Sequence, residues 1–273
     1  MTRRRVSRHL PPLLVGVLMV LAASRPASTA ESPAADDRAA AAAVAESRQL
    51  VFVVVSDWDA SRGTLASFER DAAGGWRRRA TSHEVLIGRN GSAWGRGLHP
   101  LPDDGPRKRE GDGRSPAGIF AIGPAFGAKQ TCETGLEYRP LTGHDWCIDV
   151  AASPLYNRIV DAREVGADAV AGSTEPMRRD LHLDGDRSYE LGFVIEHNPA
   201  GRAGEGSCIF AHLLGDPPAP TAACTAMTEP ELLELLRWLD AGARPRFVLL
   251  PAAEAAARAA AWGLPPPPGD EPP

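Results

Sequence analysis

Leu50-Val51-Phe52-Val53-Val54-Val55 decides the fold. The run is apolar and mostly β-branched, and it is too short for a buried helix. It reads as a strand covered on both faces. Residues 57–61 supply turn formers. Residues 64–70 then alternate in character, as the return strand of a hairpin does. Further short strands are expected over 76–86, 118–122, 147–150, 189–196, 207–212 and 246–250. Residues 98–116 are charged and rich in Gly and Pro, and read as a long exposed loop.

One helix carries full end signals. Thr228 and Glu231 form a capping-box pair, and Pro230 sits in the first turn, where no amide is needed. Leu232, Leu233, Leu235, Leu236 and Leu239 make its apolar face, and Gly242 is positioned to end it. A second short helix is expected over 252–262, followed by a Pro-rich disordered tail to residue 273. Many short strands and few helices make the domain, residues 50–251, mainly β.

The N-terminus reads as an address. Arg3, Arg4, Arg5 and Arg8 precede an apolar stretch at 13–23, and Ser28-Thr29-Ala30 offers a small-x-small cleavage site. This is signal-peptide anatomy for residues 1–30, and the apolar run falls short of the ~20 residues a membrane span needs. An uncleaved anchor is the alternative. Export to the periplasm or cell envelope is the expectation, with no membrane span after cleavage. Residues 31–49, rich in Ala, read as a linker. Without residues 1–30 the chain keeps 25 basic against 35 acidic residues, a net charge of −10. Such a chain is a poor partner for nucleic acid. The sequence says nothing of oligomeric state.

Four cysteines are present: Cys132, Cys147, Cys208 and Cys224. Cys132 and Cys147 bracket a short polar loop and are expected to form a disulfide, worth about 3 kcal/mol in loop entropy. Cys208 is expected to be a buried free thiol. Cys224 lies among small residues just before the capped helix, whose N-terminal field favours a thiolate. His212 ends the strand upstream and can act as its base. The amides of Ala223 and Cys224 are then placed to hold an oxyanion. A Cys208–Cys224 disulfide is the competing arrangement. His83, His99, His144, His182 and His197 are scattered. Residues 180–186 read as a polar turn rather than a metal loop, and no metal site is expected. Arg107-Lys108-Arg109 is either a solvated run or a contact for a substrate carboxylate.

Gly206-Ser207-Cys208-Ile209-Phe210-Ala211-His212 and Thr221-Ala222-Ala223-Cys224-Thr225-Ala226-Met227 together resemble the active-site signature of the L,D-transpeptidase catalytic-domain (YkuD-like) family. Arg109-Glu110-Gly111-Asp112-Gly113-Arg114-Ser115-Pro116-Ala117-Gly118-Ile119-Phe120 resembles another of its blocks, and Cys147 to Asp149 with Tyr156-Asn157 resemble blocks of a periplasmic branch. The resemblance spans about residues 50–251. It departs at Ala223, where the family has glycine, and at Ala226, where its members have Arg or Asn. The resemblance implies a mainly β, sandwich-type fold with a few short helices. It also implies a Cys224 nucleophile with His212 as base, Thr221 near the substrate, and no cofactor. The substrate it implies is a peptidoglycan stem tetrapeptide. Crosslinking by transfer, hydrolysis of the same thioester, and a catalytically silent wall-binding module are the readings that remain open.

Overall fold

A computed structural model describes Met1 and residues 35–79 and 82–268. The expected signal peptide and the last residues of the tail, 269–273, lie outside the described residues. The chain divides into residues 1–32 and a body, residues 33–273, which carries the fold.

The strands of the body in chain order are β1 (Gln49–Val55), β2 (Arg62–Arg70), β3 (Trp76–Arg78), β4 (His83–Leu86), β5 (Ser92–Trp94), β6 (Ser115–Gly127) and β7 (Tyr138–Pro140). There follow β8 (Asp145–Cys147), β9 (Ile159–Asp161), β10 (Glu175–Pro176), β11 (Leu191–Ile195), β12 (Phe210–Leu213), β13 (Thr225–Met227) and β14 (Arg246–Pro251). The helices are α1 (Ala35–Ala45), α2 (Ala162–Val165), α3 (Ala167–Val170), α4 (Arg179–His182), α5 (Glu229–Trp238) and α6 (Ala252–Trp262). The protein is mainly β with a few short helices.

β1 and β2 form the expected antiparallel hairpin, and β1 also pairs in parallel with β14. With neighbours on both edges and both faces covered, β1 is apolar from Leu50 to Val55, and all of its residues but Val54 are buried. The sheet continues β14-β6-β11-β12-β13-β4-β2 and returns to β1. The expected sandwich is therefore corrected. One sheet closes on itself into a barrel, because β2 pairs with β1 along one edge and with β4 along the other. Closure removes the free edges that a sandwich would leave. Phe52, Leu65, Ile119, Phe120, Phe193 and Phe247 belong to the buried core. A small second sheet, β10-β8-β9, is built from the stretch of chain between β7 and β11.

Two terminal expectations change. Residues 35–45 are a helix docked on α6 rather than a linker, with Ala40 and Val44 fully buried. Its alanines let the two helices approach closely, and Trp262 Nε1 donates to Asp37 at 2.9 Å. α6 itself is found where expected. Beyond it Leu264 joins the core, so the tail is packed at least that far. α5 begins as expected, with Glu231 accepting from the Thr228 amide at 3.0 Å, but it stops at Trp238, before Gly242. No helix among the described residues is long and apolar enough to cross a membrane.

The loop over 98–114 is less exposed than its composition suggests, since His99 and Lys108 are buried. The His99 ring occupies the space where a side chain at Gly118 would start: a Cβ there would fall 1.8 Å from the imidazole. His99, His197 and His212 are all buried, and burial pushes them down to about 4, 3 and 4. Between the ordinary value of 6.5 and those values the unfolded chain holds more protons than the fold. Their contribution to stability is thus complete above pH 6.5 and is lost as pH falls through that window. The urea midpoint should drop between pH 6.5 and 4, and His99→Gln should flatten the dependence by about 1.4 kcal/mol per pH unit. An unchanged slope would place the His99 proton on the folded protein.

Candidate active site

The site is built on the junction of β12 and β13. These strands run parallel, with Ala211 opposite Thr225 and His212 opposite Ala226. Parallel neighbours need a crossover, and residues 214–224 provide it. The crossover returns through a turn that places Cys224 one residue before β13. His212 and Cys224 line a single cavity of about 650 Å³.

The turn is pinned by hydroxyl groups. Thr221 Oγ1 donates to the Cys224 carbonyl at 2.6 Å. Ser115 Oγ donates to the carbonyl of Ala223 at 2.6 Å and accepts from the Gly88 amide at 2.9 Å. With these carbonyls tied into the protein, the amides of Ala223 and Cys224 donate to no partner among the described residues, although both residues line the cavity. That leaves two donors for an oxygen arriving beside the sulfur. Ala223 is not among the residues with positive φ, so its Cβ is accommodated. Thr221, the substrate-contact candidate, lines this cavity and also holds the turn. Ser115 lies in one of the resembling blocks, yet the sequence assigns it no role. Its role depends on β6 passing the turn, and nothing local announces that.

His212 is fixed in orientation by a hydrogen bond from Nδ1 to the Leu213 carbonyl at 2.7 Å. A carbonyl only accepts, so Nδ1 carries the proton and Nε2 is left as the basic nitrogen. The Tyr189 ring packs edge-on against the imidazole at 5.2 Å between centroids. Arg179 lies over that ring, 5.1 Å from its centroid, and pairs with Glu175 at 2.8 Å and Asp186 at 2.7 Å. Asp180 pairs with Arg178 and Asp186 with Arg179, so two of the three acidic residues of segment 180–186 serve ion pairs. Among the described residues no cluster of His, Cys, Asp or Glu is arranged for a metal.

The thiol is not the activated thiolate expected from the helix field. Cys224 is 6% exposed, and its pKa is pushed up to about 12, first by burial and then by Glu175. The Phe210 amide, which donates to the sulfur at 3.3 Å, opposes this only partly. α5 starts five residues after Cys224, and its field does not offset the lost solvation. The Tyr189 hydroxyl also faces the sulfur and favours the thiolate weakly. The sulfur makes its other contact, at 3.5 Å, with the Cys208 carbonyl. Cys224 and His212 share no direct hydrogen bond. They rest as neutral thiol and neutral imidazole in one cavity.

The cysteine pairing also differs from expectation. Cys147 and Cys208 form the disulfide, and Cys132 and Cys224 are free. The bridge spans 61 residues and ties β8 to the segment entering β12. Cys208 has φ of +56°, and its amide donates to Asn157 Oδ1 at 2.8 Å. The bond therefore holds a left-handed residue against the turn that carries Cys224. Chain spacing alone favours Cys132 for the bridge, but the topology brings Cys208 to Cys147 instead.

Mass spectrometry of denatured, unreduced protein should find two alkylatable thiols, Cys132 and Cys224, and a Cys147–Cys208 peptide. In the native state at pH 7 iodoacetamide should label Cys132 well before Cys224, because Cys224 is buried and fully protonated. Rapid native labelling of Cys224 would show that the thiol ionises far more readily than its burial allows. No family model matches the chain, and no curated protein or solved structure matches it.

Proposed function

We propose that the protein is an exported peptidoglycan L,D-transpeptidase that works through a Cys224 acyl-enzyme. The observation that carries this reading is the shared cavity, in which a cysteine, an oriented histidine with a free Nε2 and two unpartnered amides come together. These are the parts of cysteine acyl transfer. The resembling sequence blocks supply the substrate class and the family. A closed sheet with the nucleophile turn at a strand end is compatible with an L,D-transpeptidase-like domain. The disulfide suits an oxidising compartment.

In this mechanism a stem tetrapeptide enters the cavity and its third residue places a carbonyl carbon at Sγ. His212 Nε2 takes the thiol proton as sulfur attacks. The charge passes to the carbonyl oxygen, where the Ala223 and Cys224 amides receive it. The C–N bond to the terminal D-alanine breaks, and the imidazolium protonates the leaving amine. A thioester remains on Cys224. The amine of a second stem attacks it, giving up a proton to His212, and a crosslink forms while the thiol is restored. A buried, neutral Cys–His pair is stable at rest and becomes polar only when a carbonyl is present to share the charge.

The test is incubation of the purified protein with disaccharide-tetrapeptide, read by mass spectrometry. A thioester adduct and loss of D-alanine are expected, and dimeric muropeptides mark transfer where tripeptides alone mark hydrolysis. Cys224→Ala should abolish acylation, and His212→Gln should slow it about 10²- to 10⁴-fold. With His212 near 4 and Cys224 near 12, the rate should stay flat across neutral pH and fall only as pH drops toward 4, where the base is protonated. Absence of any adduct, with wall fragments bound equally by the parent and Cys224→Ala, would establish a binding module instead.

A further inference from the structure

Arg107-Lys108-Arg109 has a place in the fold that the acyl-transfer site does not use. Lys108 is buried and its ammonium is taken up by Asp112 at 2.6 Å. The arginines on either side line a second cavity of about 680 Å³, together with Trp94, Arg96, Asp103 and Glu205. The wall is anchored by backbone bonds: the Trp94 amide donates to the Pro106 carbonyl at 2.8 Å, and the Lys108 amide to the Trp94 carbonyl at 2.9 Å. The Glu110 amide ties the same loop to the Gly204 carbonyl at 2.9 Å.

The charges here do not cancel. Arg96 is paired with Glu205 at 2.8 Å. Arg107, Arg109 and the nearby Arg202 have no carboxylate partner among the described residues. Asp103, exposed at the rim, is the one lining carboxylate not already paired among the described residues. The guanidinium of Arg96 is made less basic by burial and by the like charges of Arg202 and Arg107. A chain whose remainder after residue 30 carries −10 thus concentrates cations at one spot. A second, separate observation points the same way. The Nη1 of Arg107, a side chain that lines the cavity, is buried and has no acceptor among the described residues. A buried donor left unpaired is costly, and a bound acceptor removes that cost.

We propose that this cavity is a phosphate-binding site, in which Arg107 and Arg109 grip a phosphate monoester or diester with help from Arg96. One guanidinium satisfies a carboxylate by a planar two-bond pair. Two free guanidiniums around one cavity exceed the single planar pair and match a tetrahedral group with several oxygens. The site shares Lys108 with the nucleophile cavity as a common wall, but it does not depend on the chemistry assigned to Cys224.

The test is calorimetric titration and thermal unfolding of the full chain in low salt, with inorganic phosphate, glycerophosphoglycerol and acetate as separate probes. Phosphate should bind and raise the melting temperature, and the affinity should fall as sodium chloride is added. The Arg107→Gln/Arg109→Gln protein should bind at least 10-fold more weakly while melting no lower than the parent without ligand, since two repelling charges are gone. Cys224→Ala and Arg237→Gln, both outside the cavity, should bind as the parent does. Tighter binding of glycerophosphoglycerol than of inorganic phosphate identifies a phosphodiester as the ligand, and the reverse identifies a free or terminal phosphate. No binding by the parent, equal binding by the double variant, or acetate binding as tightly as phosphate would each overturn the proposal.

Discussion

The pairing of β13 with its two neighbours is the constraint on which the rest depends. This strand is three residues long, and it alone joins β12 to β4, meeting β4 at the single pair Ala226–Leu86. Without it the sheet is open and the hairpin edge at β4 is unpaired. With it the barrel closes, and the segment that closes it carries the cysteine at its N-terminal end. The geometry of the site is therefore tied to the integrity of the sheet. Ser115, Thr221 and the Cys147–Cys208 bridge hold that segment from three sides. A small residue at 226 suits this place, because it is 1% exposed between His212 and Leu86.

Burial then sets the electrostatics. The same packing that positions Cys224 and His212 takes both out of water, and desolvation disfavours the charged form of each. The cysteine moves up and the histidine down, and the pair rests uncharged. Arg179, Glu175, Asp186 and Tyr189 surround it but largely balance one another. Such packing shields the Cys224 thiol and keeps it protonated. The cavity on the far side of Lys108 has the opposite character. There Arg107 and Arg109 have no carboxylate partner among the described residues.

Local chemistry was legible wherever a short stretch decided its own structure. The apolar run at 50–55, the alternation at 64–70 and the capped start of α5 depend on neighbours a few residues away, and each stands in the fold as expected. The helix at 35–45 escaped because alanine marks no apolar face. Its burial depends on the matching alanines of α6, about two hundred residues later in the chain. The Cys132–Cys147 pairing failed for a related reason: spacing measures loop entropy, whereas a bond needs Cα atoms within reach, and Cys147 and Cys208 stand 5.9 Å apart.

By itself, then, the sequence determined the mainly β class, the hairpin that starts the barrel, the α5 capping and the choice of Cys224 and His212 as the candidate pair. These follow from periodicity, end signals and motif order, all of which act over short distances along the chain. Only the tertiary structure decided that the sheet closes, that Cys208 is bonded, that Thr221 and Ser115 hold the turn, and that the thiol rests protonated. Each of these is set by which distant segments meet and how completely they exclude water, and neither quantity is written in any one stretch of residues.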